Sequence, residues 1–283
     1  MILPNVPGIN PNIPFADYLK LPGLSASALK KLMRSPLAFK WAKDHPDTGS
    51  TPALAMGTAT HTAILEPERF KEDYVIWDGD KRGKDWLAFK EANANRSILS
   101  ASEYENVEGM RNAIRNFGPA ARYLQDGIAE VTIQWIDPET GRPMRGRVDW
   151  VTKINGQTVL SDLKTTRDSS PRKFGADAYK LGYHIQSALY CDGWYHLTGE
   201  FPRFVFLAVE SKEPYEPAVF NTPEDVLAQG HEEYMRLQAT LKECEDTNTW
   251  PPRAMEEQDL TLPAWAMDSE DEDLSDIGLD LTA

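Results

Sequence analysis

Between residues 129 and 164 hydrophobic and polar positions alternate, and that alternation predicts strands. Val131, Ile133 and Trp135 fall on one side of a strand over 129–136, with Glu130, Thr132 and Gln134 on the other. Asp137-Pro138-Glu139-Thr140-Gly141 has turn composition and returns the chain into a second strand. Val148, Trp150 and Val151 precede Ile154-Asn155-Gly156, and Val159, Leu160 and Leu163 follow it, so residues 145–164 read as a hairpin. Three consecutive antiparallel strands result. Further on, 203–209 is an unbroken apolar run of the kind found in strands buried on both faces, and 218–221 offers one more strand.

Elsewhere the apolar spacing is helical. Residues 1–23 are rich in Pro and Asn and predict an extended arm. A helix opens at Ser25 or Ser27, places Leu29, Leu32 and Met33 on one face and ends near Ser35-Pro36; a short amphipathic stretch covers 39–43. Residues 52–66 form an Ala-rich helix that carries His61 inward or to a cleft. After a charged loop over 76–86, helices are expected at 86–94 and 101–117. One long helix is predicted over 174–197, with Tyr183, Gln186, Tyr190 and Trp194 projecting from one side, and a last one to residue 245 with Thr222 as N-cap. With no internal repeat, the economical reading is one α/β domain, 24–252, with a helical N-terminal part.

Composition changes this picture little, and charge changes it more. The 283 residues are 41% hydrophobic and 26% charged, as in ordinary globular chains. No apolar run approaches the ~20 residues of a spanning helix, and the first residues lack the pattern of a signal peptide, so no membrane role is expected. Two cysteines, Cys191 and Cys244, are too few for a disulfide framework, which makes a reducing cytoplasm the default compartment. The net charge of −14 argues against nucleic acid only until it is located. Ten acidic residues and no Lys or Arg lie in 254–283, leaving 34 acidic against 30 basic elsewhere, a body of only −4. Residues 253–283 therefore read as a solvated, disordered acidic tail, with a docking role for a partner protein as the sharper alternative.

The hairpin also holds the candidate chemistry. Arg145, Arg147 and Asp149 share one face of its first strand, and Asp162 and Lys164 one face of its second. Two carboxylates converging on a point repel unless a divalent cation sits between them, and a lysine beside that cation can orient or deprotonate a water. An acidic-x-Lys triplet alone is a weak signal that a surface ion pair explains equally well. Glu130 reads either as a carboxylate approaching the same cation or, more simply, as an exposed strand glutamate.

Asp149, the Asp162-Leu163-Lys164 triplet, and Gln186 and Tyr190 on the following helix resemble the PD-(D/E)XK nuclease superfamily in its RecB-like branch. His61 in Gly57-Thr58-Ala59-Thr60-His61 is similar to the histidine that this branch places ahead of its core, and LSASALKKLMRSP to its opening helix. Within the branch the segments GTATHTAILEP, VDW, SDLKTT, YHIQSALYCDGW and FVFLAVE resemble, in order, the nuclease domain of RecE-type exonucleases (exodeoxyribonuclease VIII). The likeness spans roughly 24–252. One departure is informative: where iron-sulfur relatives carry a cysteine before the helix-ending proline, this chain has Ser35, and two cysteines cannot supply a four-cysteine cluster. No iron-sulfur cluster is expected.

The resemblance implies a mixed central sheet flanked by helices and a Mg²⁺ site, with Mn²⁺ as substitute, held by His61, Asp149, Asp162 and the Leu163 carbonyl. It implies Lys164 at the attacking water and Gln186 and Tyr190 holding the DNA strand or the water network. Lys81, Arg82, Lys84, Arg145, Arg147, Thr165 and Thr166 are candidate DNA contacts. It further implies a processive exonuclease that digests one strand of linear duplex from its 5′ end, leaving 3′ overhangs for a single-strand annealing protein in a bacterial or phage-infected cell. Relatives work as closed rings, here a tetramer ahead of a trimer, and a ring suits a body that is not basic overall because only its channel must attract phosphate. A structure-selective or restriction-type endonuclease with the same site, or an idle DNA-binding scaffold, are the other readings.

Overall fold

The computed structural model describes residues 7–11, 13–46, 49 and 51–261. In chain order the first elements are β1 (Gly8–Asn10), α1 (Phe15–Tyr18), α2 (Ala26–Arg34), α3 (Pro36–Asp44), α4 (Pro52–Leu65) and α5 (Pro67–Asp73). Next come β2 (Tyr74–Trp77), α6 (Gly83–Ala92), β3 (Ser97–Ser100), α7 (Ala101–Asn116) and α8 (Gly118–Ala121). The chain then runs through β4 (Gly127–Ile136), β5 (Pro143–Ile154), β6 (Gln157–Thr166), α9 (Pro171–Lys180), α10 (Tyr183–Thr198), β7 (Arg203–Glu210), β8 (Pro217–Asn221) and α11 (Glu224–Thr247).

Helix starts follow local chemistry. Ser25 caps α2 by accepting from the Ala28 N–H at 3.3 Å, and Ser35, extended at the end of α2, caps α3 through the Ala38 N–H at 3.0 Å. Thr51 caps α4, and Ser100 with Glu103 forms a reciprocal capping box on α7.

One six-stranded sheet, ordered β1-β4-β5-β6-β7-β8, is antiparallel except for the β6–β7 pair. A parallel pair needs a crossover, supplied by α9 and α10. Both faces are covered. Leu29, Leu32, Val131, Ile133, Val148, Leu160, Phe204, Phe206, Ile185 and Leu237 build the core that joins the sheet to α2, α10 and α11. Ile64, Met110, Ile114, Trp150, Val159, Leu163, Val205 and Leu207 build the core under α4 and α7. Residues 204–209 alternate between the two cores, which is why that strand is apolar throughout.

Four expectations change. The N-terminal arm is not simply extended. Its residues 8–10 form the edge strand against β4, α1 follows, and Ile13, Tyr18 and Leu21 are buried together. The long helix is two, because Gly182 adopts φ +67 between α9 and α10, outside the helical range. Tyr74–Trp77 and Ser97–Ser100 pair in parallel as a separate small sheet, the first reaching into the loop expected over 76–86 and the second in a stretch for which no element was expected. Pro223, not Thr222, is the N-cap of α11. No helix among the described residues is long and apolar enough to cross a membrane. Residues 253–261 are exposed and carry no helix or strand, while 1–6 of the arm and 262–283 of the acidic tail lie outside the described residues.

Candidate active site

The site lies where the sheet parts. The β5–β6 ladder runs from Ile154 opposite Gln157 to Trp150 opposite Ser161 and stops there. Beyond it β6 stays with β7, pairing Asp162 with Phe206 and Lys164 with Ala208, while β5 stays with β4. Asp149 on one lip and Asp162-Leu163-Lys164 on the other thus border a gap. Asp149 fills part of it, its Oδ2 accepting the Leu163 N–H at 2.8 Å in place of a ladder bond. Glu130 stands beside it with φ +56, and around this pair the alternation breaks: Val131 and Val148 face the α10 core, whereas Ala129 and Trp150 face the α4 core. Asp149 therefore does not continue the face of Arg145 and Arg147 in the way strict alternation predicts.

His61, from α4, meets these carboxylates. One ligand atom each from His61, Glu130 and Asp149 lie within 4.8 Å of one another. The imidazole Nε2 is 2.7 Å from the Leu163 carbonyl and Nδ1 is 3.5 Å from Asp149 Oδ2. Burial, then the Lys164 charge, lowers the His61 pKa, so the ring is neutral near pH 7. A neutral ring donating from Nε2 turns an Nδ1 lone pair toward the acidic groups. The Leu163 carbonyl, expected as a metal ligand, is the acceptor that sets this tautomer. Glu130 is half-buried and ion-paired with Arg147, contrary to its reading as an exposed strand residue.

Asp162 stands to the α10 side. It is 1% exposed, bound through Oδ1 to Gln186 Nε2 and ion-paired through Oδ2 with Lys164 Nζ. Burial alone would depress the Lys164 ammonium, but Asp162 and then Asp149 outweigh it and hold the pKa above the usual lysine range. Gln186 Oε1 accepts from Lys164 at 3.5 Å and from Lys30 at 2.9 Å. Sequence reading missed Lys30. The signal was a lysine with Ala26 and Met33 at helical spacing on the half-apolar side of α2. Burial, then the neighbouring Lys164, pushes its pKa down to about 8.

Other expected residues lie elsewhere. Tyr190 is packed under β5 against Gly146, its hydroxyl accepting the Arg147 N–H at 3.4 Å. Arg145 donates to the carbonyls of Tyr18, Leu19 and Leu21, and Arg147 to that of Ile13 as well as to Glu130, so both guanidiniums tie down the N-terminal arm and are not open to DNA. Lys81, 3.9 Å from Glu103, and the exposed Arg82 and Lys84 belong to the start of α6. Thr166 closes a turn on Asp168, and Thr165 is half-buried on β6.

Crowded acidic groups mark the gap. Burial, then Asp162 and Glu130, raises the Asp149 carboxyl well above the usual range. One imidazole nitrogen and several carboxylate oxygens suit a divalent ion bound by hard donors.

A mixed sheet that parts at its centre to present an aspartate opposite an Asp-x-Lys triplet, with a helix-borne histidine alongside, defines the metal-dependent nuclease fold of the PD-(D/E)XK class. More narrowly, residues 25–260 match the family model of a PDDEXK-like domain of unknown function, and the chain belongs to that family. The structure is similar to that of a protein from Eubacterium rectale named as a candidate exonuclease, with a TM-score of 0.60 at 14% identity over 91% of this chain and 97% of that one. Weaker likenesses are to SSO0001 (TM-score 0.33, 12% identity, 77% of each chain) and to VC1899 of Vibrio cholerae (0.21, 17%, 72% of this chain and 53% of that one). No curated protein matches the chain.

Proposed function

We propose that this chain is a Mg²⁺- or Mn²⁺-dependent exonuclease that digests one strand of linear duplex DNA, 5′ to 3′, and leaves 3′ overhangs for single-strand annealing. The observation that carries the reading is the parted sheet, with Asp149 on one lip and Asp162 and Lys164 on the other. His61, Glu130 and Asp149 would hold the ion, with Asp162 beside them. When bound, a divalent cation neutralises phosphate charge and lowers the pKa of a water ligand. Lys164, held protonated by its two aspartates, is a charged donor to phosphate or water and not the resting base. Gln186 orients that ammonium and the Asp162 carboxylate together. The exonuclease reading also draws on the name of the Eubacterium rectale protein and on the RecE-type likeness of the motifs. Ring assembly and an annealing partner belong to the same reading, because a body of −4 concentrates its attraction for phosphate best in an enclosed channel.

End-labelled linear and closed circular duplexes, incubated with Mg²⁺, Mn²⁺ or EDTA, test this. Linear DNA is lost from its 5′ ends with either metal, the circle survives, EDTA stops the reaction, and Lys164→Met abolishes it. Cutting of the circle would replace the exonuclease by an endonuclease, and inert DNA under every condition would remove the nuclease reading.

A further inference from the structure

Lys164 is not the sole ammonium group at the gap. Lys30 approaches from α2, the opening helix, and shares two partners with it. The Tyr183 ring lies 5.1 Å from Lys30 Nζ and 4.7 Å from Lys164 Nζ, and Gln186 Oε1 accepts from both. The two cations differ in one respect. Lys164 is paired with Asp162, whereas Lys30 meets, among the described residues, a neutral amide oxygen and a ring face. Its stem is seated, not loose: a methyl group built on Gly182, at the break before α10, would stand 3.1 Å from Lys30 Cγ. A half-buried ammonium facing a like charge is costly to maintain, and an anion entering between them repays it.

We propose that Lys30 is a second phosphate-binding cation of this site, holding a non-bridging oxygen of the scissile phosphodiester next to Lys164. The proposal rests on the nuclease reading. A phosphodiester carries one negative charge. As the water oxygen, its proton passing to solvent, bonds to phosphorus and the bond to the leaving oxygen breaks, that oxygen taking up a proton, further charge gathers on the phosphoryl oxygens, so a second ammonium acts on the rate more than on binding. Gln186 is then a positioning residue for both lysines.

The test compares wild type, Lys30→Gln, Lys30→Arg and, as a control on the exposed neighbour, Lys31→Gln. Duplex binding in Ca²⁺ is measured across a salt series, and cleavage in Mg²⁺ under single turnover. Lys30→Gln is expected to lower the cleavage rate by about 100-fold, the scale of losing one transition-state donor. It should also reduce the slope of log affinity against log salt by about 0.9, the share of one duplex phosphate contact. Lys30→Arg restores the slope, and Lys31→Gln leaves the rate unchanged. A Lys30→Gln protein with wild-type melting, rate and slope overturns the proposal and leaves the nuclease reading intact. A wild type that cuts no DNA removes that reading instead, and the salt slope alone then decides whether Lys30 meets phosphate.

Discussion

At the scale of single residues, the site holds two lysines whose pKa values are shifted in opposite directions. Asp162 and Asp149 keep Lys164 charged above the ordinary lysine range, while burial and Lys164 bring Lys30 down to about 8. The groups facing Lys30 are Lys164 and Asp162 on β6, Asp149 on β5, and Gln186, Tyr183 and His184 on α10. Folding and binding then respond with opposite sign. In the unfolded chain Lys30 regains its ordinary pKa of 10.5, so its burial costs stability below pH 8, and the cost fades as pH rises from about 8 to 10.5. DNA binding needs the charge, so affinity in Ca²⁺ should fall above pH 8 by up to about tenfold per pH unit. Lys30→Arg should flatten that limb, since guanidinium stays charged. Affinity independent of pH there would show that Lys30 takes no part. Part of this was legible beforehand: Asp149, Asp162 and Lys164 stood out by type and spacing, His61 by the family resemblance, and Glu130 as one of two readings, its placement turning on its own φ of +56. Lys30 did not stand out, because it depends on a contact 156 positions away.

At the scale of elements, the parting of β5 from β6 turns a hairpin into a site. Alternation predicted both strands and their turn, where Asn155 and Gly156 take positive φ as a tight hairpin requires. It could not show where the ladder ends, since that depends on β7 keeping β6 while β4 keeps β5. Distance hid other elements in the same way. The four-residue strands β2 and β3 exist through pairing across an intervening helix, and one glycine within a periodic run did not announce the break before α10. The N-terminal arm is joined to the site through Arg147, 9% exposed, which grips Ile13 and Glu130 at once. Removing one member of a buried pair strands the other, so Arg147→Ala should cost about 3–5 kcal/mol. Thermal melting checks this. Part of the loss should return with saturating Mn²⁺, which gives Glu130 a new counter-charge; a melt equal to wild type would mean that the arm and the pair contribute nothing.

At the scale of the molecule, α/β layering was readable from pattern because it rests on short-range periodicity, while the mixed sheet, whose parallel pair joins residues 159–166 to 203–210, and the class of site came from the family resemblance of the motifs. The net charge was the misleading quantity, since most of it sits in the acidic tail. What unites sheet, helices and arm is delivery of an imidazole from α4 and of carboxylates from the β4–β5 pair and β6 to one gap. The most direct test of that convergence is Mn²⁺ binding to the DNA-free protein, followed by calorimetry or electron paramagnetic resonance, for wild type and Asp149→Asn. Wild type should bind Mn²⁺, and Asp149→Asn should weaken binding by at least about tenfold, the loss that even indirect partners of a metal ligand produce. Equal binding by the two proteins, or none by either, would contradict the account.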